Sequence, residues 1–134
     1  MKIILDTNVL ISGIFFTGPP SQILKAWKNS KLQIVLSQEF LDEYQRVAES
    51  LAANFPTVDI LPIIELITIH GQLIDTKNFD VSVCDDPDDN KFIECAIASN
   101  CKIIISGDKH LLNVSGFQGT TVLKPRDFVD RYLK

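Results

Sequence analysis

The chain has 134 residues, 46% of them apolar and 22% charged, which is the balance of a soluble globular protein with length enough for one hydrophobic core. Its net charge of −4 excludes a protein whose grip on nucleic acid comes from phosphate neutralisation alone; any such binding must be local and aided by cations. No stretch nears the roughly 18 consecutive apolar residues of a membrane span, and Ile3-Ile4-Leu5 is far too short for a signal-peptide core, so a cytoplasmic address without membrane contact is expected.

In chain order, Ile3-Ile4-Leu5 predicts a central strand buried on both faces. Pro19-Pro20-Ser21 opens a helix with Ile23, Leu24 and Trp27 on its stripe. Gln33–Leu36 predicts a second strand, and Ser37 is placed to cap the next helix, whose buried face is Phe40, Tyr44, Val47 and Leu51. Asn54 to Asp59, with Pro56 inside, breaks the chain before a helix carrying Ile60, Ile63, Ile64 and Ile67, which Gly71 stops. Gln72 to Val83 reads as a short edge strand and a loop. Asp89 to Ser99 is helical, with Phe92, Ile93, Ala96 and Ile97 on one face. Lys102–Ile105 is a third clear strand, Lys109–Leu112 a short helix, and Thr121–Leu123 a last strand. Pro125 then opens a helix with Phe128, Tyr132 and Leu133. Without repeats, low-complexity tracts or linkers, residues 1–134 are expected to form one domain, an α/β fold around a parallel sheet.

The cysteines Cys84, Cys95 and Cys101 are odd in number and lack a C-x-x-C spacing, which argues for reduced thiols over disulfides or structural zinc. His70 and His110 alone offer little to a triad or a histidine zinc site, and His70, ending an apolar helix before Gly71, reads as structural.

The acids are more informative. Ligands of open parallel sheets bind at the carboxyl ends of the strands. Ile3–Leu5 runs into Asp6, and Ile103–Ile105 runs through Ser106-Gly107 into Asp108. Each aspartate alone reads as a helix cap; on neighbouring strands they would share a rim. Glu43, three residues after Phe40 and four before Val47, borders a buried stripe, whereas Glu39 and Asp42 turn toward water. In Asp85-Asp86-Pro87-Asp88-Asp89, helix-dipole complementarity accounts for Asp88. Asp89, three before Phe92 and four before Ile93, faces inward, and Asp86 is a candidate to support it. Four acids converging without basic partners repel one another, and Mg²⁺ or Mn²⁺ relieves that, since hard cations take carboxylate and water oxygens. Asn8 and Ser106 are placed to orient carboxylates or water. Lys91 and Lys109 are candidate phosphate contacts beside the acidic rim.

These blocks resemble the PIN-domain family: Asp6-Thr7-Asn8 after the first strand, Glu43 in Ser37-x-x-x-Leu41-x-Glu43-Tyr44, Asp89-Asn90-x-Phe92-Ile93-x-x-Ala96, and Ser106-Gly107-Asp108-x-x-Leu111. The resemblance spans nearly the whole chain in the family's order. It implies a three-layer α/β/α fold and a Mg²⁺- or Mn²⁺-dependent endoribonuclease, with Asp6, Glu43, Asp89 and Asp108 as catalytic and metal-binding acids. It further implies a VapC-like toxin of a toxin–antitoxin pair, acting as a homodimer and silenced by an antitoxin protein. Ser106 stands where threonine is more usual and keeps the hydroxyl. The isoleucine-rich helix Ile60–Ile69 carries apolar surface beyond what one core covers, consistent with a homodimer or a bound antitoxin segment.

Other readings fit less well. A haloacid-dehalogenase-like phosphatase wants an aspartate two residues after the first, where Asn8 stands. A response-regulator receiver wants an acidic pair at the first strand and a lysine after the last, and neither is evident. A catalytically weak RNA- or protein-binding module of the same fold is the closer rival, and single-acid substitutions separate it from a nuclease.

Overall fold

Five short strands, all parallel, build a single sheet in a computed structural model that describes residues 1–134. They are β1 (Lys2–Leu5), β2 (Gln33–Ser37), β3 (Gln72–Ile74), β4 (Ile103–Ile105) and β5 (Thr121–Leu123), in the order β3-β2-β1-β4-β5. Between β1 and β2 run α1 (Thr7–Phe15) and α2 (Pro19–Lys28); between β2 and β3 run α3 (Gln38–Asn54) and α4 (Leu61–His70). A 3-10 turn at Pro87–Asp89 leads into α5 (Asn90–Ser99). Then α6 (Lys109–Leu112) joins β4 to β5, and α7 (Pro125–Phe128) continues into a π-helical turn, Val129–Leu133. The chain winds outward to β3 in one direction and to β5 in the other, so right-handed crossovers put helices on both faces of the sheet. This is the α/β/α arrangement expected of the sequence.

The apolar runs sit where their composition requires. Ile3, Ile4, Leu5, Ile34, Val35, Leu36 and Ile103 to Ile105 are buried, because helices cover both faces of these strands. One cluster of 33 buried residues forms the core. All three cysteines are free, and Cys95 and Cys101 lie within the core. No helix is long and apolar enough to cross a membrane.

Two local expectations change. Ser37 has N-cap backbone angles, but its hydroxyl makes no capping bond and is buried without a partner. It is still the last residue of β2, paired with Ile74, so strand geometry and not the helix directs it. Gly71 ends α4 at φ −71°, outside the left-handed region. Close approach explains this glycine: a Cβ there would stand 2.5 Å from Leu36 Cδ1 and 2.6 Å from the Ile67 carbonyl oxygen. At the other helix end of this kind, Asn100 does take the left-handed conformation, with φ 56°, and closes α5. On α4, Ile60, Ile64 and Ile67 are buried, whereas Leu61, Leu66 and Ile69 lie exposed. The Ile60–Ile69 segment therefore does present apolar surface to the outside.

Candidate active site

β1 and β4 pair in register, Leu5 beside Ile105, so the residues that follow them emerge on one rim of the sheet. Asp6 is only 6% exposed. It occupies the N-cap position of α1, yet its side chain makes no capping bond there. Its Oδ2 instead accepts a hydrogen bond from Ser106 Oγ at 2.6 Å, and Ser106 Oγ in turn accepts one from the Asp108 amide at 2.9 Å. One hydroxyl thus ties the two strand ends together. Burial pushes the Asp6 carboxyl above the usual aspartate range, and the charges of Asp108 and Glu43 add to that against the opposing Ser106 bond. Asp108 differs: its carboxylate caps α6, accepting from the His110 amide at 2.8 Å. For Asp108 the helix-cap reading holds alongside the rim position.

The other half of the rim comes from α3 and the turn before α5. Phe40, Tyr44 and Ala48 anchor the inner face of α3, which leaves Glu43 half-buried at the edge of that face. Both of its oxygens are engaged: Thr7 Oγ1 donates to Oε2, and Lys91 Nζ donates to Oε1 at 3.0 Å. Arg46 lies further off, at 4.0 Å. Lys91 also binds the Asp88 carbonyl oxygen at 2.8 Å and the Asp88 carboxylate at 3.0 Å. Burial alone would lower the pKa of this ammonium, but its bonds to Asp88 and Glu43 together outweigh that and raise it, so the group stays charged.

Asp89 is 7% exposed, and its Oδ2 is buried without a hydrogen-bond partner. Burial, followed by the charges of Asp108, Asp6 and Asp86, pushes its carboxyl up to about 6. The same field reaches Cys84, whose thiol is raised to about 11 by burial and then by Asp89, Asp108, Asp85 and Asp86. That cysteine is therefore an inert thiol at neutral pH. Asp6, Glu43, Asp89 and Asp108 are thus electrostatically linked across four separate segments. As the side chains stand, no three His, Cys, Asp or Glu residues are grouped tightly enough to clasp an ion. The chemistry of the set nevertheless fits a hard divalent cation: aspartate oxygens, two carboxyls held reluctant to ionise, and one orphaned buried oxygen.

Several supporting residues are not where the sequence suggested. Asn8 is exposed and forms no hydrogen bond with the acids. Asp86 is exposed and caps the 3-10 turn, accepting from the Asp88 amide at 3.0 Å, so its carboxylate holds that turn instead of bonding to Asp89. The premise that the acids lack basic partners fails at Glu43. Lys91 is not a surface lysine available to phosphate but 8% exposed and occupied by Glu43 and Asp88. Lys109 remains exposed beside Asp108.

A family model described as PIN domain matches residues 2–110, which include all four acids. The chain belongs to the PIN-domain family. PIN domains are generally nucleases of the hydrolase class and typically draw on divalent metals. An uncharacterized protein of Methanocaldococcus jannaschii is 33% identical over 118 residues, covering 85% of this chain and 75% of that relative. No solved structure matches the chain.

Three residues of this PIN domain's rim escaped the sequence reading. Thr7 was legible only as part of Asp6-Thr7-Asn8, and nothing in its type announced a bond to Glu43. Tyr44 donates its hydroxyl to the Leu5 carbonyl oxygen, linking α3 to the end of β1. Asn90 Oδ1 accepts from the Val83 and Cys84 amides at 3.2 and 2.9 Å, fastening the loop before the acidic run. Asn90 beside Asp89 at a helix start was the one available signal for the last of these.

Proposed function

We propose that this PIN domain is an endoribonuclease that hydrolyses single-stranded RNA with Mg²⁺ or Mn²⁺ held by Asp6, Glu43, Asp89 and Asp108. The observation that carries the reading is Asp89: a buried carboxyl oxygen without a partner, in a field of like charges that raises its pKa to about 6. A purely structural aspartate would have found a donor. A divalent ion supplies, when bound, the acid that activates water and offsets charge on the departing oxygen.

The protein's own residues prepare for that chemistry. Ser106 donates to Asp6 and steadies its charged form against burial. Thr7 and Lys91 fix both oxygens of Glu43. Water attacks the phosphodiester phosphorus, the 3′ oxygen leaves with a proton, and a 5′-phosphate remains. Only His110 lies near this set, where its amide donates to the Asp108 carboxylate, and His70 is exposed on the far end of α4, so no pair of histidines stands ready to share general acid and base roles.

Lys109 is the placed cation for RNA phosphate. The exposed apolar residues of α4 support a homodimer or an antitoxin protein as partner, in the cytoplasmic setting of a toxin–antitoxin pair. The test is cleavage of a labelled single-stranded RNA with Mn²⁺, with Mg²⁺ and in excess chelator. Cleavage is expected only with metal, and Asp6→Asn, Asp89→Asn and Asp108→Asn should each remove most of it. Undiminished cleavage in chelator overturns the metal-dependent mechanism. RNA binding without cleavage, unchanged in the three variants, would favour the binding-module reading.

A further inference from the structure

Lys91 is a buried ammonium in an acidic site, and its contacts run in two directions. Toward α3 it donates to Glu43 Oε1 at 3.0 Å. Toward its own turn it donates to the Asp88 carbonyl oxygen at 2.8 Å and pairs with the Asp88 carboxylate at 3.0 Å. The Asp88 carbonyl belongs to the peptide that joins Asp88 to Asp89, so whatever holds it also orients the Asp89 backbone. Glu43 and Asp89 are 46 residues apart in sequence and lie on elements with no shared strand. Among the recorded hydrogen bonds, those of this one ammonium link the Glu43 side chain to the 3-10 turn that carries Asp89.

We propose that Lys91 is a positioning residue that fastens Glu43 of α3 to the Asp88–Asp89 turn and so sets where these two carboxylates stand relative to each other. Its ammonium also serves as a resident cation for Glu43, whereas no basic side chain is bonded to Asp6 or Asp89. Both Glu43 oxygens are held in advance by Thr7 and Lys91, while the Asp89 Oδ2 is left open. The division is between one acid locked in place and another kept free for an arriving ion.

Three features separate this from an ordinary salt bridge. The ammonium is 8% exposed, so it cannot exchange Glu43 for water without disturbing the turn. Its distance to the Phe92 ring, 5.2 Å to the centroid, puts an aromatic face behind it and limits its travel. Its principal acceptor on the turn is a main-chain oxygen, so the effect on Asp89 passes through backbone geometry. Residues that orient ligands in this way commonly change metal affinity or activity by about 10–100-fold when removed.

The inference rests on the four acids being a metal-dependent nuclease site, and the experiment keeps the two separable. Lys91→Met, Glu43→Gln and the double variant are compared with the unaltered protein by hydrogen exchange without metal, Mn²⁺ titration calorimetry and steady-state cleavage. Lys91→Met should speed amide exchange at Asp88 and Asp89 while leaving the β1 and β4 amides protected. It should weaken Mn²⁺ binding by about 10-fold and lower kcat by about 10–100-fold with KM within about twofold. The double variant should be no worse than about the poorer single one, because both remove the same link.

If Lys91→Met fails to fold because Glu43 is left as an unpaired charge, the double variant removes both charges and carries the same comparison. Unchanged exchange at Asp88 and Asp89, in whichever of the two folds, overturns the positioning role even if the protein cuts RNA. Faster exchange there in a protein that neither binds Mn²⁺ nor cuts RNA would support the link and overturn the nuclease reading instead. Strictly additive losses in the double variant would also overturn the positioning role.

Discussion

Asp6 and Glu43 are two acids on one rim with opposite provision for their charge. Asp6 is nearly buried and receives only neutral donors, chiefly the Ser106 hydroxyl, so burial and its acidic neighbours win and its pKa rises. Glu43 is half-buried and receives an ammonium and a hydroxyl, one on each oxygen. Asp89 belongs with Asp6: no basic group touches it, and its second oxygen has no partner. Asp6 and Asp89 are therefore left without a bonded counter-charge, and Glu43 is provided with one. A buried carboxylate without a counter-charge is unfavourable unless something arrives to neutralise it, so the location of the unprovided acids marks where a cation is wanted.

The largest effect that sharpens this contrast is on cleavage. Asp6→Asn and Asp89→Asn should each reduce it by at least about 100-fold, the upper end of what changes behind a ligand cost. The same substitutions should leave the melting temperature of the metal-free protein unchanged or raise it, because each removes a charge that burial and its neighbours oppose. Calorimetry of the metal-free variants checks this. A marked loss of stability in both would mean that the aspartates are structural and the contrast with Glu43 is empty.

A second effect is on pH. The Asp89 carboxyl ordinarily titrates at 3.8 and here at about 6, so over that interval the folded state holds a proton that the unfolded chain has released. Stability must then fall as pH rises from 3.8 to about 6, by on the order of 1 kcal/mol for a rim that water reaches. Asp89→Asn should flatten that slope. Since a cation binds the ionised form, Mn²⁺ affinity should fall in the opposite direction, weakening as pH drops through about 6. An affinity independent of pH over this interval would remove Asp89 from the metal site.

Ser106→Ala should act on both sides of the β1–β4 seam, because its hydroxyl donates to Asp6 and accepts from the Asp108 amide. A loss of about 1–3 kcal/mol in stability is expected from the unsatisfied groups, with about a 10-fold loss in Mn²⁺ affinity. Ser106→Thr, which keeps the hydroxyl, should restore both. The smallest effect is at Lys109: Lys109→Glu should weaken RNA binding and reduce the slope of log affinity against log salt by about 1. Metal binding should be untouched, and an unchanged slope would take Lys109 off the RNA path.

The sequence was most legible where one physical rule dominated. Ile3–Leu5 and Ile103–Ile105 are apolar throughout because a parallel strand between two helical layers has no wet face, and the acids after them are at the rim by topology alone. Helical periodicity placed Glu43 beside the core and Asp89 inward for the same kind of reason. It failed at Lys91, because periodicity assumes one covered face. In the first turn of α5, Asn90, Lys91, Phe92 and Ile93 are all buried, enclosed by α3, the preceding loop and the sheet. A lysine on any side of that turn is interior, and only the fold reveals it. The second role of Asp88, as a partner of Lys91, has a similar origin. The lysine that claims the Asp88 carboxylate reads from the sequence as a phosphate contact beside the rim.

Tyr44, next to Glu43, donates its hydroxyl to the Leu5 carbonyl just before Asp6. Its ring is fully buried and packs tilted against Phe40 at 5.6 Å between centroids, and burial keeps the phenol protonated well beyond the ordinary tyrosine range. A rigid aromatic strut thus runs from α3 to the tip of β1, with one acid at each end. The backbone of α3 beside Glu43 is thereby held to the backbone just before Asp6 through a ring that does not bend. Leucine or methionine in its place would fill the volume but leave the span adjustable. The separation of α3 from the end of β1 is accordingly held by a residue that lies wholly inside the core.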